Sequence, residues 1–513
     1  MTPNSPRPAG EPVAAPAPPP PHAHVVPRCM STQHPDNVSL PFFSTASPLT
    51  PEDEVREAYY AFSELGCDEQ MWDYEGKEVD EHVVEKLFDA YEPYFRAHPL
   101  GEGIFLTPRI PNPRLERTQA KAVLEVLHSL PRHSDVARLF YGRERPPVLE
   151  LIYPMATSAM ELDRVRTYYE RFVAGMGDVI VDADQGTLGR WLGEFTPSTV
   201  RMIPLVEDRE HLMVVDDIVR EYARGKDLDY VRVFIARSDP ALNYGFVPAV
   251  LLAMGALASL DRLERELGIG VYPIIGVGGP VFRGGLRPDT VDRCLAVYPS
   301  VQTFTVQSSF KYDHDVSEVR AGVAKLRAHT RGSALPLSFG SWPTGLLDRL
   351  IARYEAELGE VASLVNTVAP RVPRRRLRRL HVGLFGYSRG EGALSLPRAI
   401  PFCASLYTVG LPPEVLGLAA LDDDDWAWVR GAVPGIEDEL RDAMRFLALE
   451  DMAWFPPLAR ESAAAALRRV GASEPDVRHQ EVALAARTAI ESGAGTQVGE
   501  LVLRAAALRR FLG

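Results

Sequence analysis

Residues 200–207 read Val-Arg-Met-Ile-Pro-Leu-Val-Glu, and residues 230–239 read Tyr-Val-Arg-Val-Phe-Ile-Ala-Arg-Ser-Asp. Each is a short run rich in β-branched and aromatic residues, closed by a carboxylate. Between them, Leu212–Tyr222 carries the apolar period of a helix. The same unit recurs outward in both directions. Further candidate strands are Ile104–Thr107, Val148–Tyr153, Val271–Ile275, Val301–Val306 and His381–Phe385, with helical patterns such as Arg114–Leu130 between most of them. Strands alternating with helices predict a parallel sheet. About eight such units close a barrel, so the expected fold is α/β, a (β/α)8 TIM-like barrel. Such a barrel needs only about 250 residues, whereas the chain has 513. The surplus is expected in additional α-helices, at Pro51–Tyr94, Glu437–Leu449 and Ala463–Leu512.

Residues 1–27 are rich in Pro and Ala, including the run Pro18–Pro21. Such a segment cannot bury a core and is expected to be a disordered N-terminal extension. It lacks the charged start and apolar centre of a signal peptide. Residues 28–513 read as one globular catalytic unit. The net charge of −13 argues against a nucleic-acid partner. No charge-free apolar run of 18 residues occurs, so no membrane partner is expected. The apolar stretch from Gly245 to Leu260 reads as a buried helix. Cys29, Cys67, Cys294 and Cys403 form no CxxC pair. That pattern suits a reducing, cytoplasmic location and excludes a zinc ribbon.

In a parallel barrel the carboxyl ends of the strands hold the active site. Several candidate strands end there in polar residues: Arg109, Glu207, Asp239 and Gln307. An Asp at such a place often caps a helix. Two carboxylates on successive strands, Glu207 and Asp239, also suit Mg2+, which takes few protein ligands and leaves the rest to water and substrate. The loop Gly276-Val-Gly-Gly-Pro-Val-Phe-Arg283-Gly284-Gly285 lets backbone approach an anion and offers the guanidinium fork of Arg283. It is neither a Walker A loop nor a dinucleotide fingerprint. Arg389 and Arg398, with Arg109, would complete a cationic pocket, although most arginines only form surface ion pairs. His34, in Met30-Ser-Thr-Gln-His34-Pro-Asp-Asn37, precedes a proline and so sits in extended backbone. Its imidazole could shuttle a proton near neutrality. The arginine run Arg371–Arg379 reads as a solvated connection, with an anionic effector site as the alternative. Asp422–Asp425 reads as a loop or helix start.

These segments resemble the archaeal type of phosphoenolpyruvate carboxylase. The resemblance rests on Met30–Asn37, Cys67–Asp80, Pro108–Pro113, Gln307–Asp313, Phe385–Arg389 and Pro397–Pro401, and runs from about residue 28 to at least 415. It implies a lyase that makes oxaloacetate and phosphate from phosphoenolpyruvate and bicarbonate, using Mg2+ or Mn2+, in a cytoplasmic homotetramer. By likeness to the larger plant and bacterial enzymes, it makes His34 the proton-handling residue and Glu207 and Asp239 the metal ligands. Arg283 would hold bicarbonate with Gly284 and Gly285 beside it, and Arg398 would grip the phosphate. Arg109 and Arg389 would also bind substrate. The larger enzymes carry a Lys where this chain has Leu242, and His-Gly-Arg where it reads Ile275-Gly276-Val277. Part of their cationic set is therefore missing here, so their phosphate and regulatory contacts do not carry over wholesale. Two other readings fit some of these residues: another metal-dependent barrel lyase or aldolase acting on a pyruvate enolate, and a non-catalytic anion-binding homologue. Neither accounts for the whole set of His34, Glu207, Asp239 and Arg283.

Overall fold

The structure is a computed structural model, and it describes residues 25–75, 79–117, 120–182, 184–376, 396–471 and 473–513. Most of the N-terminal extension, the expected strand His381–Phe385 and Arg389 lie outside the described residues. Among the described residues Val26 is already buried, and its carbonyl accepts from Gln302.

Eight parallel strands close a barrel: β1 Cys29–Ser31, β2 Glu69–Asp73, β3 Phe105–Arg109, β4 Glu150–Tyr153, β5 Arg201–Val206, β6 Tyr230–Ala236, β7 Gly270–Gly276 and β8 Thr303–Val306. They pair in sequence order, and β1 closes on β8 with Cys29 opposite Phe304 and Ser31 opposite Val306. The expected barrel is confirmed, and its strands β3 to β8 lie where the apolar runs placed them. The closing pair, β1 and β2, differs from expectation. β2 interrupts Pro51–Tyr94, which was read as helical. Among the described residues of that stretch, helices occupy only Pro51–Tyr60, Val83–Ala90 and Glu92–Ala97, besides one π-helical turn.

The barrel interior explains why β2 does not read as a strand. Inward positions alternate along each strand, and at the amino-terminal end of the barrel they are polar. The buried Arg232 guanidinium on β6 donates to Glu69 on β2 (2.7 and 2.6 Å), to Glu150 on β4 (2.9 Å) and to Thr303 on β8 (3.1 Å). The four residues come from alternate strands, as a barrel layer requires. Burial works against the Arg232 charge, and the two carboxylates outweigh it. Above this layer Met30, Met71, Ile152, Ile203, Leu205, Phe234, Ala236 and Ile274 fill the barrel. Two residues further along, the inward sequence turns polar again at the carboxyl ends.

The surplus length forms further helices between and after the barrel strands. Phe246–Leu267 is apolar and long enough to cross a bilayer, but 89% of its most apolar window is buried inside the molecule, as expected of a core helix. The acidic run at Asp422 starts a helix: Asp422 and Asp425 form a reciprocal capping box for Asp423–Ala432. The C-terminal pattern resolves into Pro457–Val470, Val477–Glu491 and Gly495–Arg509. A two-stranded pair, Ile180–Asp182 with Gly186–Thr187, projects between β4 and β5. All four cysteines are buried and free.

Replacing Arg232 by Met should leave Glu69 and Glu150 buried without a counter-charge. The expected cost is about 3–5 kcal/mol of unfolding free energy, read from urea titration. A loss below about 1 kcal/mol would show that this layer does not hold the barrel together.

Candidate active site

A cavity of about 800 Å3 opens at the carboxyl ends of the strands, and His34, Arg109, Glu207, Asp239, Arg283 and Arg398 all line it. These residues span more than 360 positions of sequence (398 − 34 = 364) and meet because each follows or ends a barrel strand or starts a helix. Arg389 lies outside the described residues.

His34 is carried by the extended chain that leaves β1. The Thr32 N–H continues the ladder to the Val306 carbonyl (3.0 Å). The buried Lys311 ammonium donates to Ser31 Oγ, to the Thr32 carbonyl and to Glu57 (2.9, 2.9 and 2.8 Å). Gln33 is clamped at both ends: its amide oxygen accepts from the Asp73 N–H and its amide nitrogen donates to Glu54. His34 Nδ1 lies 2.9 Å from Thr32 Oγ1.

Glu207 follows β5. Asp239 follows β6 as the second residue of the helix Ser238–Tyr244. Burial pushes the Asp239 carboxyl up, and Arg398 pulls it back. Glu207 and Asp239 bring two hard oxygen donors to one cavity, and among the described residues no cluster of three or more metal-ligating side chains occurs. Two carboxylates fit Mg2+, which fills the rest of its shell with water and substrate oxygens. They fit poorly to Zn2+, which takes three or four protein ligands.

Arg109 is not a bare cation. Its Nε and Nη2 donate to the two oxygens of Asp73 (2.8 Å each), and Nη1 lies 3.0 Å from Glu75. Burial alone would lower its pKa, and Asp73 and Glu75 hold it well above the usual arginine range. Buried Glu116 belongs to the same neighbourhood: burial first, then Glu75 and Asp73, lift its carboxyl to about 7. Sequence reading missed these three acids. Asp73 was findable, since it lies four residues after the inward-facing Glu69 and so shares its face.

Arg283 is also held tightly. Nε donates to Ser238 Oγ (3.1 Å), Nη1 to Asp36 (3.3 Å) and to the main-chain oxygen of Gly513 (2.7 Å), and Nη2 to the Gln307 amide oxygen (2.6 Å). Among the described residues four of its five N–H groups are thus engaged, which leaves one Nη2 N–H for a ligand. The expected two-pronged fork becomes a single directed donor.

Gly284 and Gly285 need correction. Neither lines the cavity. The Gly284 N–H donates to Val281 (2.9 Å) and the Gly285 N–H to Pro280 (2.8 Å), so neither amide is available to an anion. Their service is geometric. Gly284 has φ +115°, and a Cβ there would come within 2.4 Å of Val277 Cγ1. The turn that presents Arg283 therefore tolerates only glycine at 284. Residues 277–286 are all buried, so this loop forms part of the wall behind the cavity.

The arginine run is the other correction. Arg374, Arg375 and Arg376 line the cavity, and the latter two are buried. Arg376 pairs with Glu57 through both Nη atoms (2.8 Å each) and donates to Ser308. Arg375 donates to the carbonyls of Asn37 (3.1 Å) and Val38 (2.5 Å), just beyond His34. Arg398 stands at the N-terminus of the helix Ala399–Thr408, whose first residues also line the cavity. A guanidinium and a helix N-terminus together favour an anion there.

A family model described as phosphoenolpyruvate carboxylase matches residues 26–513. A phosphoenolpyruvate carboxylase of Methanothermobacter thermautotrophicus is 46% identical over 488 residues, covering 95% of this chain and 100% of that protein. Its counterpart in Methanospirillum hungatei is 45% identical with the same coverage. That of Halobacterium salinarum is 46% identical, covering 95% of this chain and 99% of its own length. With a barrel, a cavity and a residue set that agree with these matches, the chain belongs to the archaeal-type phosphoenolpyruvate carboxylase family.

Proposed function

We propose that this protein carboxylates phosphoenolpyruvate with bicarbonate, giving oxaloacetate and phosphate, and that residues 28–513 are the catalytic unit. The observation that carries this reading is that the His34 imidazole, the Glu207 and Asp239 carboxylates and the Arg109, Arg283 and Arg398 guanidinium groups line one cavity at the barrel mouth. A pyruvate aldolase would have no use for the tightly braced His34 segment, and a non-catalytic homologue would have no use for the paired acids.

A divalent cation, Mg2+ or Mn2+, held by Glu207 and Asp239 would supply positive charge beside the phosphate and the enolate oxygen. The protein's own groups do the rest. Arg398 and the helix N-terminus behind it bind the phosphate of phosphoenolpyruvate. The remaining N–H of Arg283 orients bicarbonate. A bicarbonate oxygen then attacks phosphorus and the enol C–O–P bridge breaks at P–O, giving carboxyphosphate and the pyruvate enolate. His34 takes the carboxyl proton of carboxyphosphate, which separates into CO2 and phosphate. The enolate carbon attacks CO2, and the new C–C bond makes oxaloacetate. Water must be kept out at this point, because protonation of the enolate would give pyruvate.

The missing cations of the larger enzymes have a source in this chain. Leu242 is buried, and Arg374 and Arg375 bring charge to the cavity wall, whereas Arg376 is paired with Glu57. Arg109, neutralised by Asp73 and Glu75, serves as a braced wall of the site more than as a free phosphate ligand. Arg389 is carried as a further substrate-binding candidate on the strength of its motif. The free cysteines suit a reducing compartment such as the cytoplasm, and a homotetramer is the assembly that the family resemblance implies.

Replacing His34 by Asn should lower oxaloacetate formation about 10²–10⁴-fold, with phosphoenolpyruvate and metal binding retained in calorimetry. Turnover like that of the parent protein would remove His34 from the role. Glu207→Gln and Asp239→Asn should each raise the Mg2+ concentration for half-maximal activity by at least about tenfold. An unchanged metal titration in both variants would refute the metal assignment.

A further inference from the structure

Asp36 lies two residues beyond His34 and is 0% exposed. None of the steps above uses it. Its carboxylate takes three donors. Oδ1 accepts from the Ser309 N–H (2.7 Å), and Oδ2 accepts from Ser309 Oγ (2.9 Å) and Arg283 Nη1 (3.3 Å). Its own backbone is fixed as well. The Asp36 N–H donates to the His34 carbonyl (3.0 Å), and its carbonyl accepts from the Leu512 N–H (2.7 Å). This one side chain therefore spans the segment after β1, which carries His34, the helix Ser308–Tyr312 after β8, which follows Gln307, and the turn after β7, which carries Arg283.

The pattern is more than a buried ion pair. Arg283 could be neutralised by any carboxylate within reach. Asp36 is distinguished by its place two residues from the imidazole, on a backbone hydrogen-bonded to His34 itself. A shift of His34 along its segment moves Asp36, and Asp36 moves the guanidinium. Both groups act on the same short-lived species. His34 removes the proton that releases CO2, and Arg283 stands where bicarbonate was held and where CO2 appears.

We infer that Asp36 is a positioning residue that keeps Arg283 in register with His34, so that CO2 is released where the enolate can capture it. The inference rests on the carboxylase reading. When the register is lost, carboxyphosphate still forms and still separates into CO2 and phosphate. The enolate then takes a proton from water and leaves as pyruvate, and the CO2 rehydrates to bicarbonate. The net result is hydrolysis of phosphoenolpyruvate to pyruvate and phosphate that needs bicarbonate and does not consume it.

Asp36→Asn tests this sharply. The amide keeps the shape but has one oxygen and one NH2 group, so it cannot accept from both the Ser309 N–H and the Arg283 side. Oxaloacetate, by coupled malate dehydrogenase assay, and phosphate would be measured in parallel on the purified full chain with Mg2+ and saturating bicarbonate. The parent protein should release the two in equal amounts. In the Asn variant oxaloacetate per phosphate should fall at least about threefold, with pyruvate making up the difference, since small misplacements of reacting groups cost large rate factors. Ser309→Ala, which removes only the hydroxyl donor to Oδ2, should shift the ratio the same way by less, and it carries the test should the Asn variant fail to fold by circular dichroism. Loss of both products in equal proportion, or an unchanged ratio in variants that fold, would overturn the inference. A parent protein that makes no oxaloacetate at all would instead overturn the carboxylase reading.

Discussion

A barrel mouth built to receive two anions must gather positive charge in a buried place, and buried charge is stable only when paired and hydrogen-bonded. That constraint organises this molecule. Arg109 is held by Asp73 and Glu75, Arg376 by Glu57, and Arg283 by Asp36, Gln307, Ser238 and a main-chain oxygen. The pairing fixes the guanidinium planes before substrate arrives, so orientation need not be established during the reaction. It also limits what each arginine can offer. Among the described residues Arg283 keeps one N–H for a ligand, which makes it a directional contact and not a general attractor of anions.

The same principle operates at the other end of the barrel, where Arg232 faces Glu69 and Glu150. An apolar layer of methionine, isoleucine, leucine and phenylalanine side chains separates the two polar layers. The lower set holds strands β2, β4, β6 and β8 in register, and register determines where the upper set points. The catalytic geometry is thus set from inside the barrel as well as by the helices outside it.

How much of this could be read from sequence depended on how local the signal was. Strands β3 to β8 announced themselves as apolar runs, and the polar residues at their ends, Arg109, Glu207, Asp239 and Gln307, line the cavity. β1 has only three residues, and β2, Glu-Gln-Met-Trp-Asp, carries inward carboxylates whose partners lie far away; Arg232 is 163 positions from Glu69. No local pattern reports such a pairing. The arginine run misled for the same reason. Taken alone, Arg374 to Arg376 looks like a solvated connection, but Arg376 finds Glu57 319 positions upstream and becomes part of the wall. The glycines after Arg283 were legible as a special turn. That their amides are engaged within the turn followed only from coordinates.

Motif resemblance and geometry support each other here without being the same argument. The motifs named roles for His34, Glu207, Asp239, Arg283 and Arg398. The fold brings those five side chains to one cavity through five different segments of chain. The most direct test of the account is a coupled assay of the purified chain with phosphoenolpyruvate and Mg2+, following reduction of oxaloacetate by malate dehydrogenase with and without bicarbonate. Turnover should depend on added bicarbonate if the chain is this carboxylase. Turnover indifferent to bicarbonate, or none under any metal and bicarbonate supply, would contradict it.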